Sequence, residues 1–72
     1  MNSGDIEWIV LRDRSNNLAY KGFVRAFSSA ENPRELVLGD VTVYTNDSGD
    51  MLYDVKTVYL SFEKQNVAIE LI

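Results

Sequence analysis

The sequence predicts an all-β domain of five short strands, strongly bent into a small barrel with at most one short helical turn. Runs of β-branched and aromatic residues recur at short intervals, separated by polar segments rich in turn-forming residues. Gly22 and Gly39 interrupt two of these runs, where a sharply bent strand needs glycine. Because an open sheet of this size would leave apolar edges exposed, the pattern favours closure into a barrel.

The predicted strands follow one another with tight connections. They are Ile6–Leu11, Leu18–Phe27, Leu36–Thr45, Met51–Phe62 and Val67–Ile72. The first turn ends in asparagines, which tolerate a left-handed backbone, and segment 46–50 carries a hairpin signal with Gly49. Loop 28–35 has room for about one helical turn. We expect residues 1–5 to be disordered and residues 6–72 to form a single domain, since so short a chain cannot build two cores.

Composition excludes several classes of function. The chain has no cysteine and no histidine, which removes disulfides, thiolate and imidazole metal sites, and Ser-His or Cys-His catalysis. A net charge of −4 argues against generic binding to nucleic acid or to anionic membranes. No apolar run approaches the roughly 18 residues of a transmembrane helix. We therefore expect a cytoplasmic, non-enzymatic protein without a cofactor and without a membrane segment in this chain.

Four aspartates raise the question of a calcium site. They are Asp40, Asp47, Asp50 and Asp54. Their spacing does not match a calcium-binding loop, which needs alternating oxygen donors and a terminal glutamate. We interpret Asp47 and Asp50 as turn formers, and Asp40 as a structural residue at the bend. No catalytic and no metal-binding residue is predicted.

The eight aromatic residues outnumber what so small a core needs. One interpretation places the non-tyrosine aromatics in the core and the tyrosines at its rim. Those core candidates are Trp8, Phe23, Phe27 and Phe62. The other interpretation is that tyrosines form an exposed surface for a partner, since tyrosine is enriched at protein interfaces. The candidates for that surface are Tyr20, Tyr44, Tyr53 and Tyr59.

Two stretches resemble the motifs of Sm-like proteins. The first consists of Val10-Leu11, Tyr20-x-Gly22-x-Val24-x-x-Phe27 and Leu36-x-Leu38-x-Asp40-Val41. The second consists of Val58-Tyr59-Leu60 and Asn66-Val67-x-Ile69. The resemblance implies an Sm-like or SH3-like barrel in which the glycine bends strand two and the aspartate closes the turn out of strand three. It also implies that edge strands four and five pair between subunits.

The chain is also similar to an uncharacterised bacterial module found at the cytoplasmic end of small membrane proteins. The similar segments are Tyr20–Val24, Arg34–Leu38, Val43-Tyr44 and Val58–Leu60. This resemblance implies a fold and a setting, and no activity.

Sm-like proteins read RNA with an Asp-x-x-x-Asn loop after strand two and an Arg-Gly loop before strand five. Here the corresponding loops are 28–35 and 63–66, and only Asn32 and Lys64 stand in for those residues. Nucleic acid is therefore not the expected partner. The candidate contacts to an anion are Arg12, Arg25, Asn32, Arg34 and Lys64.

The basic residues leave two interpretations open. Arg12, Arg14, Lys21, Arg25 and Lys56 either form one positive face or are interleaved with acids. The predicted function is a protein-interaction module that binds a partner or its own copies, compatible with a phage or accessory inhibitor. The alternative is an oligomeric Sm-like binder of RNA or of a small anionic nucleotide.

Overall fold

The computed structural model describes residues 7–28, 35–62 and 67–72. Over these ranges the chain forms five β-strands and no helix, which confirms the all-β prediction. The strands are β1 (Trp8–Asp13), β2 (Leu18–Phe27), β3 (Glu35–Thr45), β4 (Met51–Ser61) and β5 (Val67–Leu71). The expected disorder of residues 1–5 and most of the possible helical turn at 28–35 lie outside the described residues.

All five strands belong to one antiparallel sheet with the order β4-β3-β2-β1-β5. Strands β4 and β5 are consecutive in the chain yet occupy opposite edges of the sheet. Leu60 and Phe62 at the end of β4 nevertheless pack against the same buried cluster as Val67 of β5. The sheet is therefore strongly curled, with both edges approaching one core.

The expected closure of the barrel is wrong for the described part of the chain. No strand pairing joins β4 to β5 there, so each of these strands is paired on one side only. The prediction assumed that a small sheet must close to shield its apolar side chains. A sheet this curled instead buries its core between its own halves and leaves two edges open.

The bend of the sheet arises at two irregularities in the pairing of β2 with β3. The register shifts between Lys21, which pairs with Thr42, and Phe23, which pairs with Gly39. Asp40 and Val41 therefore both lie opposite Gly22, and Asp40 has a φ of 49°. Aspartate is among the few residues that adopt this left-handed conformation at modest cost. Gly22 faces the same point, which confirms that a bulge or bend lies at Gly39–Asp40 and that another strand passes close to Gly22.

A second register shift falls between Val24 and Ala26 and changes which side chains face the core. Beyond it, Ala26 lies opposite Val37 and Phe27 lies opposite Leu36. Simple alternation along β2 would have placed Ala26 on the same face as Val24. An extra residue in one strand moves every following side chain to the other face.

The core is aliphatic and lies on one face of the sheet, which we call the core face; the opposite face is the outer face. The buried cluster consists of Ile9, Leu11, Leu36, Leu38, Val41 and Val43. No polar side chain is buried in the described residues. All six residues belong to β1 and β3, the two strands that flank the central strand β2. Because each of these two strands has a neighbour on both sides, its inward side chains are covered most completely.

Aromatic residues do not fill this core as one interpretation expected. Phe62 packs against it, but Trp8 and Phe27 are exposed. Trp8 pairs with Phe23 across β1 and β2, and their rings meet edge to face on the outer face with centroids 5.5 Å apart. In β1 the inward positions belong to Ile9 and Leu11, so Trp8 points away from the core.

The two predicted turns adopt the expected backbone and are tied together. Asn17 has a φ of 58° and Gly49 a φ of 75°. The Asn17 side chain accepts a hydrogen bond from the Asp47 backbone amide at 3.1 Å and donates to Asp47 Oδ1 at 3.2 Å. The Asn46 amide donates to the Asn17 carbonyl at 3.0 Å. These bonds hold the β1–β2 and β3–β4 turns at one end of the sheet.

Candidate interaction surfaces

Two of the four candidate tyrosines lie on the core face. Tyr20 lies opposite Leu11 on one side and Val43 on the other, and it packs against the buried cluster. Tyr53 continues this row on β4, opposite Val43, and is exposed because β4 is an edge strand in the described part of the sheet. Tyr20 is thus a half-buried part of the packing, whereas Tyr53 belongs to the open edge.

The other two tyrosines lie on the outer face, at opposite ends of the sheet. Tyr44 lies opposite Ala19 and is half-buried. Tyr59 lies opposite Val37 and is exposed, and its hydroxyl forms a hydrogen bond with the Glu35 carboxylate that raises the pKa of the phenol. The structure therefore brings together only Tyr20 and Tyr53.

Burial raises the pKa of Tyr20, and the nearby Tyr53 and Asp13 raise it further. In the unfolded chain the phenol titrates near pH 10. The folded state therefore holds this proton more tightly than the unfolded state does. The resulting contribution to stability is complete below about pH 10 and is lost as the pH rises through the folded-state pKa.

Tyr20→Phe should consequently flatten the alkaline fall in stability. We expect the free energy of unfolding of the parent chain, from urea titrations, to fall more steeply above about pH 10 than that of the variant. Below about pH 9 the difference between the two proteins should not depend on pH. Equal slopes on the alkaline side would contradict the coupling of Tyr20 to the fold.

Among the described basic residues, Arg12 and Lys56 lie beside acidic side chains. Arg12 donates from Nε to Glu70 Oε2 at 3.1 Å and from Nη1 to Asn46 Oδ1 at 3.1 Å. The Arg25 guanidinium lies over the Phe23 ring, 5.0 Å from its centroid. Lys56, Asp40 and Asp54 line one shallow depression of β3 and β4. Of the five candidate anion contacts, Asn32, Arg34 and Lys64 lie outside the described residues.

The aspartates of the β3–β4 hairpin are turn residues, as predicted. Asp50 accepts a hydrogen bond from the Ser48 hydroxyl at 3.0 Å, and its backbone amide donates to the Thr45 hydroxyl at 3.1 Å. Asp54 accepts a hydrogen bond from the Thr42 hydroxyl at 2.8 Å. Within residues 7–28, 35–62 and 67–72, no three acidic side chains come together as ligands for a metal ion.

The open edges carry the most exposed apolar side chains of the described chain. On β5 and just after it, Leu71 is 71% exposed and Ile72 is 69% exposed. On β4, Met51 and Tyr59 are each 62% exposed. Alternation in the sequence predicts that Val67, Ile69 and Leu71 point inward; they do share one face, but Ile69 and Leu71 are exposed because no other described residue covers the far end of that face. The sequence led us to expect pairing at edge strands four and five, but it did not show which apolar side chains along them are exposed.

Comparison with known proteins identifies no relative. No protein-family model, no curated protein and no solved structure matches the chain. The described segments also contain no helix that is long and apolar enough to cross a membrane.

Proposed function

We propose that this chain is a non-enzymatic protein-interaction module that associates with copies of itself through the edges of β4 and β5. One observation carries the proposal: among the described residues, both outermost strands keep an unpaired edge, flanked by exposed apolar side chains. An unpaired edge presents free N–H and C=O groups, which readily accept another strand. Small soluble domains usually protect such edges with charges, prolines or bulges.

A second copy of the chain fits these edges because each copy carries both of them. With the order β4-β3-β2-β1-β5, placing β4 of one copy beside β5 of the next extends a single sheet across the contact. The two surfaces differ, so the contact is head to tail, and repeated contacts of this kind close into a ring when the rotation allows it. The resemblance to Sm-like proteins, whose edge strands pair in this way, supports the same arrangement.

The strand lengths are compatible with this contact. The five residues of β5 can pair along their whole length within the 11 residues of β4. Pairing would cover Leu71, the most exposed apolar side chain in the described residues, together with part of the apolar flank of β4. Hydrophobic burial of this kind contributes about 25 cal/mol per Å² of apolar surface removed from water.

Light scattering of the purified chain tests the proposal directly. We expect a stable mass that is a multiple of the 8.2 kDa monomer. Leu71→Lys should reduce the mass to that of a monomer, because a charged side chain on an edge strand opposes pairing. The matched control is Glu7→Gln, which also changes the net charge by one unit, from −4 to −3, at an exposed residue before β1.

Two outcomes count against self-association. A parent chain that remains monomeric at every concentration would overturn self-association. The exposed edges would then be explained by binding to a different protein. A parent chain that associates equally well with Leu71→Lys would show that association uses another surface. Circular dichroism of both variants establishes that the fold is intact.

The RNA-binding alternative draws little support from the described residues. Arg12 is engaged by Glu70 and Asn46, and Arg25 is stacked on Phe23. The remaining candidate contacts are outside the described part of the chain. We therefore retain the interaction module as the proposed function, in the cytoplasmic setting expected from composition.

A further inference from the structure

A groove of about 260 Å³ crosses the outer face of β1, β2 and β3. Arg12, Ala19 and Tyr44 occupy one row across these three strands, with Ala19 in the middle. Because alanine is small and its two neighbours are large, the row has a dip at β2. Lys21 lies two residues further along β2 on the same face, diagonal to both Arg12 and Tyr44.

The groove is positively charged although the chain is acidic. Its described lining holds two cations, Arg12 and Lys21, and no carboxylate. Glu70 offsets part of the Arg12 charge through their 3.1 Å ion pair. Lys21 is exposed, and in the described part of the chain no hydrogen bond or ion pair joins its side chain to another residue. The unmatched charge in the groove is therefore the Lys21 ammonium.

Apart from Thr45 and Gly49, the other residues that line the groove are apolar or aromatic. Val10 and Ala19 line its floor, and the half-buried Tyr44 lines the side nearest β3. A flat ring placed over Ala19 would contact Tyr44, and stacking of a base on an aromatic side chain contributes favourably without regard to the identity of the base. An anionic group on such a ring would reach Lys21, which attracts phosphate as a point charge.

We propose that this groove binds a small organic phosphate that carries a flat ring, with the phosphate at Lys21 and the ring against Tyr44. The volume limits the size of the ligand. Pockets for drug-sized molecules usually span about 300–1,000 Å³. A groove of about 260 Å³ lies just below this range and has room for one mononucleotide unit. The site lies within one chain and does not depend on association through β4 and β5.

The test uses adenosine 5′-monophosphate as the probe and follows backbone amide shifts by NMR. We expect saturable shifts centred on Val10, Ala19, Lys21 and Tyr44. Adenosine, which lacks the phosphate, and inorganic phosphate, which lacks the ring, should each bind about tenfold more weakly or worse, because each loses one of the two contacts.

Matched variants separate the two contacts. Lys21→Gln should weaken binding of adenosine monophosphate about tenfold and leave adenosine unaffected, whereas Tyr44→Leu should weaken both. Lys56→Gln removes the same charge from an exposed position on β4 outside the groove and should change neither.

The results that overturn the site are equally specific. They are shifts spread over other faces of the protein, equal binding of adenosine and adenosine monophosphate, or the same affinity in Lys21→Gln and the parent chain. Since the Lys21 side chain is exposed and forms no hydrogen bond or ion pair within the described residues, its replacement should leave the fold intact. The amide spectrum of Tyr44→Leu without ligand shows whether that variant is folded.

Discussion

Leu38→Ala is expected to remove most of the stability of the fold. Leu38 is 0% exposed and belongs to the buried cluster on β3. Truncating a buried leucine to alanine costs about 2–5 kcal/mol, through lost hydrophobic transfer and the cavity that remains. A 72-residue domain has a free energy of unfolding on the order of 5 kcal/mol, so the variant should be partly unfolded at room temperature.

Leu52→Ala on β4 is the control for the same chemical change. Leu52 is 47% exposed and lies outside the buried cluster, so its truncation should cost less than about 1 kcal/mol. Urea unfolding followed by circular dichroism measures both variants. Similar losses of unfolding free energy in the two variants would show that the core is not formed by the buried cluster of β1 and β3. The measurement must be made at one protein concentration, because association through the edges would add to the apparent stability.

Gly22→Ala is expected to cost about 1–3 kcal/mol, although it adds a single methyl group. A Cβ at this position would lie 2.9 Å from the Gly39 carbonyl oxygen and 3.1 Å from Val41 Cγ2. The first of these atoms belongs to the backbone of β3 at the bulge, where Asp40 already adopts a left-handed conformation. Relief of the clash therefore requires the two strands to separate at the bend.

Gly49→Asn provides the contrast to Gly22→Ala. Gly49 has a φ of 75°, and a Cβ there would meet no atom within 4 Å. Asparagine tolerates this left-handed region, so the variant should stay within about 1 kcal/mol of the parent chain. If Gly49→Asn proved as destabilising as Gly22→Ala, the close approach of β2 to β3 would not be the reason for the loss of stability at Gly22.

Much of the fold could be predicted from local chemistry. The β1–β2 turn and the β3–β4 hairpin follow from residues that tolerate positive φ, here Asn17 and Gly49. The five strands follow from β-branched and aromatic runs, and the predicted bounds differ from the observed ones by two residues or fewer. The bend at Gly39–Asp40 was predictable because only a few residue types permit it.

The positions of the aromatic residues were not predictable in the same way. Strict alternation along β2 fails after Arg25, because the second register shift exchanges the faces of Ala26 and Phe27. Whether Trp8 faces inward depends on its pairing with Phe23, a contact between residues on different strands. A bulge is a property of two strands together, and the sequence of one strand does not specify it.

The sequence by itself determined the class of fold, the order of strands and turns along the chain, and the absence of cysteine and histidine chemistry. The tertiary structure alone decided which surfaces are available for function. It leaves β4 and β5 open at opposite edges, and it places Arg12, Lys21 and Tyr44 around Ala19 on the outer face. The physical reason is that exposure of an edge and the shape of a groove depend on pairing between distant segments, whereas turns and strands depend mainly on neighbouring residues.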